Sequence, residues 1–231
     1  MEFVELYDDD IYSKSAEILK ESIIKIINEK DLVVLGLPGG RSIVPILSKL
    51  RNESICWEKV HVFLIDERLV PITDDQSNYK LIKKELSSVM PSENMHPFIL
   101  EKGQLDFGLN EYEKEIMKYG GSYDISVLSS GEDGHIGSLF PNHPSIENES
   151  DFFVLVKDSP KPPKMRMSIS KKLLLKSSIG ILLFNGETKK KAYKKVLDTH
   201  VKVNECPAKL INNISEAYVI TNILIDNIKK H

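Results

Sequence analysis

Asp133 and His135 stand two residues apart in the segment Ser129-Ser130-Gly131-Glu132-Asp133-Gly134-His135. Histidine titrates nearest neutral pH, so it suits abstraction of a proton from water, and a carboxylate close by can fix its tautomer. Gly131, Gly134 and Gly137 leave the backbone around it open to close approach. A lone histidine is more often structural, but a polar, glycine-flanked loop after a strand is the setting of a working one. The expected chemistry is general base catalysis by His135, supported by Asp133.

Three further segments carry groups that suit an anion. Gly39-Gly40-Arg41-Ser42 lies between a buried apolar run and a helical one. Two glycines, the unpaired N–H groups of a helix start and a hydroxyl make a phosphate cradle, or simply a tight turn with Ser42 as cap; the segment is neither a P-loop nor a full dinucleotide fingerprint. Asp66-Glu67-Arg68 is expected as a loop directly after the next strand. Three adjacent charges are either solvated or engaged in a site, and Arg68 is the member that matches a phosphate bidentately, with Asp66 and Glu67 placed to hold it. In Ser159-Pro160-Lys161-Pro162-Pro163, three prolines pre-set φ and stiffen the turn that bears Lys161, with Arg166 behind it. Such a turn aims a lysine at an anion or forms an inert surface hairpin.

The elements that must position these groups follow from hydrophobic period. Residues 15–28 place Ile18, Leu19, Ser22, Ile23, Ile26 and Ile27 on one helical stripe. Residues 31–37 are apolar enough for a strand buried on both faces, and Ser42 then opens a helix with Pro45 in its first turn. The same alternation gives strands at 60–65, 123–128, 179–184 and 217–221, with helices from Ser77 through Leu86, over 188–197 and, short, at the end of the chain. Strands at 152–157 and 165–169 flank the proline turn as a local antiparallel pair. The predicted fold is α/β: a Rossmann-like, mostly parallel sheet flanked by helices on both faces, with a small antiparallel excursion around residues 152–170, in a single domain over 1–231. In such sheets ligands bind beyond the carboxyl ends of the strands, where the chemistry-bearing segments fall.

Composition narrows the partners. A net charge of −3 argues against nucleic acid or an anionic membrane surface, and no apolar run is long enough to span a bilayer. With no leader pattern in MEFVELYDDD, a cytoplasmic protein is expected. Cys56 and Cys206 form no CxxC pair, so neither a disulfide scaffold nor a structural zinc site is indicated.

Taken together, GLPGGRS (36–42), FLIDERLVP with DDQSNYKLI behind it (63–82), GEDGHIGSLFPNHP (131–144) and SPKPPKMRMSIS (159–170) resemble the 6-phosphogluconolactonase family, within the wider group that includes glucosamine-6-phosphate deaminase. NGETKKKA and CPAKLI agree as well. The resemblance implies hydrolysis of 6-phospho-D-glucono-1,5-lactone to 6-phospho-D-gluconate in the oxidative pentose phosphate pathway, with no metal and no cofactor. It implies His135 as the base that activates water and returns the proton to the ring oxygen. Phosphate recognition would fall on Gly39, Gly40, Arg41, Ser42 and Arg68, with Lys161 and Arg166 contributing; Asp66 joins the expected substrate-binding set as the carboxylate placed to hold Arg68. Pro38, Arg41 and Ser129-Ser130 depart from the family's usual residues. The deaminases resemble a relay in which a glutamate stands five residues after the histidine; here that position is Phe140, which cannot accept a proton. A sugar-phosphate sensor on the same fold would need a DNA-binding module for which no segment is spare. The expected partner is a small sugar phosphate, bound by a monomer or small homo-oligomer.

Overall fold

Val33, Val34, Leu35, Gly36 and Leu37 are all buried, as a strand covered on both faces requires, and the rest of the architecture is arranged around them. The computed structural model describes residues 1–7, 10–99 and 105–225. In chain order the elements are β1 (Glu2–Glu5), α1 (Asp10–Lys30), β2 (Val33–Leu37), α2 (Ile43–Leu50), β3 (Val60–Leu64), β4 (Asp66–Arg68), α3 (Asn78–Leu86) and α4 (Leu105–Met117). There follow β5 (Ile125–Ser129), α5 (Pro144–Glu147), β6 (Phe153–Val156), β7 (Arg166–Ile169), α6 (Lys171–Leu175), β8 (Ile179–Phe184), α7 (Lys190–Leu197) and β9 (Glu216–Thr221).

Six strands form one wholly parallel sheet in the order β1-β9-β8-β5-β2-β3. From β2 the chain crosses to β3 on one side, whereas from β5 it proceeds through β8 to β9 on the other. The strand order therefore reverses between β2 and β5, and their carboxyl ends open a crevice there. Helix α1 buries the expected stripe of Ile18, Leu19, Ser22, Ile23 and Ile26, and the Ser22 hydroxyl donates back to the Ile18 carbonyl at 2.7 Å. Among the described residues no helix is long and apolar enough to cross a membrane. The short helix expected at the end of the chain lies outside the described residues.

A second, antiparallel sheet runs β4-β7-β6. It contains the expected pair around the proline turn, and it corrects one expectation: Asp66-Glu67-Arg68 is a strand, not a loop. The chain bends at Ile65, whose N–H still bonds Leu37 in the large sheet while its carbonyl accepts from Ile169 beside the small one. Alternation along β4 turns Asp66 and Arg68 to one face and Glu67 to the other. Glu67 does not brace the Arg68 side chain as expected. Its carboxylate accepts from the Ser77 hydroxyl and the Asn78 and Tyr79 N–H groups at the start of α3, where a buried negative charge meets the positive end of the helix. Burial pushes this carboxyl above its usual range, against the pull of those hydrogen bonds.

At the other edge of the crossover, β3 meets α4. His61 Nδ1 lies 3.1 Å from His96 Nε2, and His96 Nδ1 lies 3.1 Å from Glu115. The His96 ring stacks on Phe63 with centroids 4.2 Å apart. Burial pushes His96 down to about 4, with Glu115 opposing and His61 and Lys118 adding to the shift.

Candidate active site

The loops that follow β2, β5 and β8 meet the face of β4 and β7 in a cleft of about 420 Å³ at the point where the strand order reverses. Gly39, Gly40, Arg41, Ser42, Asp66, Arg68, His135, Lys161 and Arg166 all line it. Segments separated by more than a hundred residues are thus brought to one rim. Asp133 stands behind, held to the imidazole instead of lining the cleft.

His135 Nδ1 lies 2.5 Å from Asp133 Oδ1, and the His135 backbone N–H donates to the same oxygen at 3.2 Å. With the carboxylate accepting from Nδ1–H, Nε2 carries the lone pair and makes no hydrogen bond among the described residues. Partial burial of Asp133 favours its neutral form, but the hydrogen bonds from the His135 ring and backbone, with Lys161 beyond, hold its carboxyl well below the usual range. Lys161 Nζ is 3.8 Å from Asp133 Oδ2. The ring rests over Gly131, where any Cβ would fall 2.0 Å from His135 Cε1, so a side chain at 131 would expel the imidazole. Beneath it lies Phe140, fully buried, with ring centroids 4.9 Å apart.

The opposite wall is built for negative charge. No backbone N–H of Gly39, Gly40, Arg41 or Ser42 donates within the described residues. Ser42 occupies the N-cap position of α2, yet its hydroxyl does not cap, which corrects the expected role. Its backbone is helical, and a serine caps from extended geometry, as Ser77 does by accepting from Lys80 at the start of α3. The hydroxyl is left to the cleft.

Strand register puts Arg68 directly across from Arg166. The Arg68 guanidinium donates to the Gln76 carbonyl at 2.7 Å, and its Nε is buried without a partner among the described residues. Arg166 is buried: Nε donates to Pro163 O at 3.0 Å, and Nη2 to Pro162 O at 2.9 Å and Lys161 O at 3.3 Å. Its Nη1 faces Asp66 at 3.9 Å, and the guanidinium lies over Phe140. Burial lowers its pKa, with Arg68 across the strand pair adding to the effect. Asp66 serves this frame and not Arg68: it accepts from Ser138 Oγ at 3.1 Å and from the Asn78 amide.

Lys189 also lines the cleft, and sequence reasoning passed over it. It donates to Ser129 Oγ at 3.2 Å, and burial, with Lys161 nearby, pushes it down to about 8. The signal was in NGETKKKA, where the first of three lysines follows β8, the strand next to β5. Five cationic side chains thus face the cleft against the carboxylates of Asp66 and Glu132. Among the described residues no three His, Cys, Asp or Glu side chains converge in a way that could hold a metal ion.

A crevice at the reversal of a parallel α/β sheet, lined by guanidinium and ammonium groups and overlooked by a carboxylate-held imidazole, marks a protein suited to small anionic substrates and acid–base chemistry. The comparisons narrow this class. Residues 7–220 match the family described as glucosamine-6-phosphate isomerases/6-phosphogluconolactonase, and the chain belongs to it. A 6-phosphogluconolactonase of Borreliella burgdorferi is 34% identical over 226 residues, spanning 94% of this chain and 96% of the relative. One from Thermotoga maritima is 30% identical over 186 residues, spanning 80% and 83%. The crystal structure of 6-phosphogluconolactonase from Thermotoga maritima superposes with a TM-score of 0.84 at 28% identity, covering 95% of this chain and 98% of its own. That of a 6-phosphogluconolactonase from Shewanella baltica, 22% identical, shares the fold with the same score.

Proposed function

We propose that the protein hydrolyses 6-phospho-D-glucono-1,5-lactone to 6-phospho-D-gluconate, the lactone-opening step of the oxidative pentose phosphate pathway, acting in the cytoplasm on a free sugar phosphate. The observation that carries the reading is the pairing, across one cleft, of an imidazole with a bare Nε2 and a wall of cations and unpaired N–H groups. The phosphate is held by the Gly39–Ser42 loop, Arg68 and Lys189, and this fixes the lactone carbonyl near His135. Nε2 takes a proton from water as its oxygen bonds to the carbonyl carbon. When the tetrahedral adduct collapses, the bond to the ring oxygen breaks, and His135 returns the proton to that oxygen. Asp133 stabilises the imidazolium formed between the two steps.

The deaminase reading finds no support at Phe140: the position is a buried phenyl ring under His135, with no group to relay a proton. The discriminating experiment offers the purified protein freshly made 6-phosphogluconolactone and, separately, glucosamine 6-phosphate, following acid and ammonia release. Acid without ammonia is expected; ammonia without acid would reverse the assignment.

A further inference from the structure

We infer that Asn78 is a positioning residue for the anion-binding loop, holding Gly39 at its distance from β4. Asn78 is 1% exposed and is the first residue of α3, where its N–H is taken by Glu67. Its Nδ2 donates to Asp66 O at 2.7 Å and approaches Asp66 Oδ1 at 3.3 Å, which sets the orientation of the amide. Oδ1 therefore turns the other way, buried and without a hydrogen-bond partner among the described residues. It presses on Gly39: a Cβ there would fall 1.8 Å from Oδ1, 2.1 Å from Cγ and 2.7 Å from Nδ2.

The two glycines of the loop consequently exist for different reasons. Gly40 has φ +95 and open space around its Cβ position, so its backbone geometry excludes a side chain. Gly39 has no such dihedral, and the three atoms nearest the place a side chain would take all belong to the carboxamide of Asn78. Through Asp66 the same amide is tied to Ser138 and Arg166, so one side chain sets the loop, β4 and the wall beyond relative to one another. The contact is independent of what the cleft binds; its effect on KM rests on the function proposed above.

The test compares wild type, Gly39→Ala, Asn78→Ala and the double variant by thermal melting, by calorimetric affinity for inorganic phosphate, and by KM and kcat on 6-phosphogluconolactone. Asn78→Ala is expected to raise KM about tenfold and weaken phosphate similarly, with kcat within about threefold, because His135 stands on another wall. Gly39→Ala is expected to lower the melting temperature and raise KM at least as much. In the double variant the added methyl should cost nothing further, giving strong non-additivity. Additive losses, or an Asn78→Ala protein with lower melting temperature but unchanged KM and phosphate affinity, would overturn the inference. Should Gly39→Ala fail to fold, recovery of folded protein in the double variant counts as the same coupling, and no recovery overturns it. Coupling in melting and phosphate affinity without lactone turnover by wild type would support the positioning role while overturning the activity.

Discussion

His135 offers one nitrogen to Asp133 and leaves the other without a hydrogen bond among the described residues. Because it is the base proposed above, its replacement by alanine should lower kcat by about two to four orders of magnitude while the protein stays folded. Near-wild-type turnover at controlled pH would refute the role. Lys189 makes a different prediction. Its ammonium, pushed down to about 8, is charged at neutral pH and discharges as pH rises through that value. KM for the phosphorylated lactone should therefore climb above about pH 8, and Lys189→Arg, which keeps its charge, should remove the climb. At this scale the sequence was partly legible. Histidine, aspartate and the two arginines are rare enough in glycine-rich or post-strand settings to stand out. Lys189 was hidden in a run of three lysines, because periodicity cannot tell which of them the preceding strand aims inward. Ser42 misled, since its residue type suggests a cap and its backbone angles preclude one.

Strands with continuous apolar runs, such as β2 and β8, were readable because full burial needs no partner information. Strand β4 was not. Three consecutive charges read as a loop, and they form a strand only because Glu67 finds the start of α3 ten residues later while Asp66 and Arg68 face the cleft. That is a tertiary fact, invisible to a local window. β1 and α4 were missed as well, the first being a four-residue edge strand with two exposed ends. The junction of β3 with α4 yields a pH prediction. A His96 pKa held near 4 against an unfolded value near 6.5 means the folded state favours the neutral ring. The associated stability is complete above about pH 6.5 and is lost as pH falls toward 4. The melting temperature should decline over that interval, and His96→Gln should flatten the decline. Equal slopes in the two proteins would show that other groups govern acid unfolding.

Over the whole molecule, charge is segregated: the chain carries a net −3, yet cations predominate around the cleft. An anionic substrate is thus attracted to one place on a protein that otherwise repels it weakly. For this reason kcat/KM on 6-phosphogluconolactone should fall as ionic strength rises from about 0.01 to 0.3 M, while an uncharged lactone should show little change. The parallel order and the antiparallel excursion were legible as a class, since alternation of apolar runs and helical stripes implies them. Which loops would share a rim was not, because that depends on strand order, and several orders are compatible with the same string of elements.

Arg166 spreads three N–H contacts over the carbonyls of Lys161, Pro162 and Pro163. A lysine there would keep the charge but, offering hydrogens from a single point, could not span three acceptors. The turn would come loose from its keystone, and Lys161 would drift from Asp133 with it. Charge conservation at 166 is therefore not conservation of the site: one exchange of cation for cation would quietly disarm two.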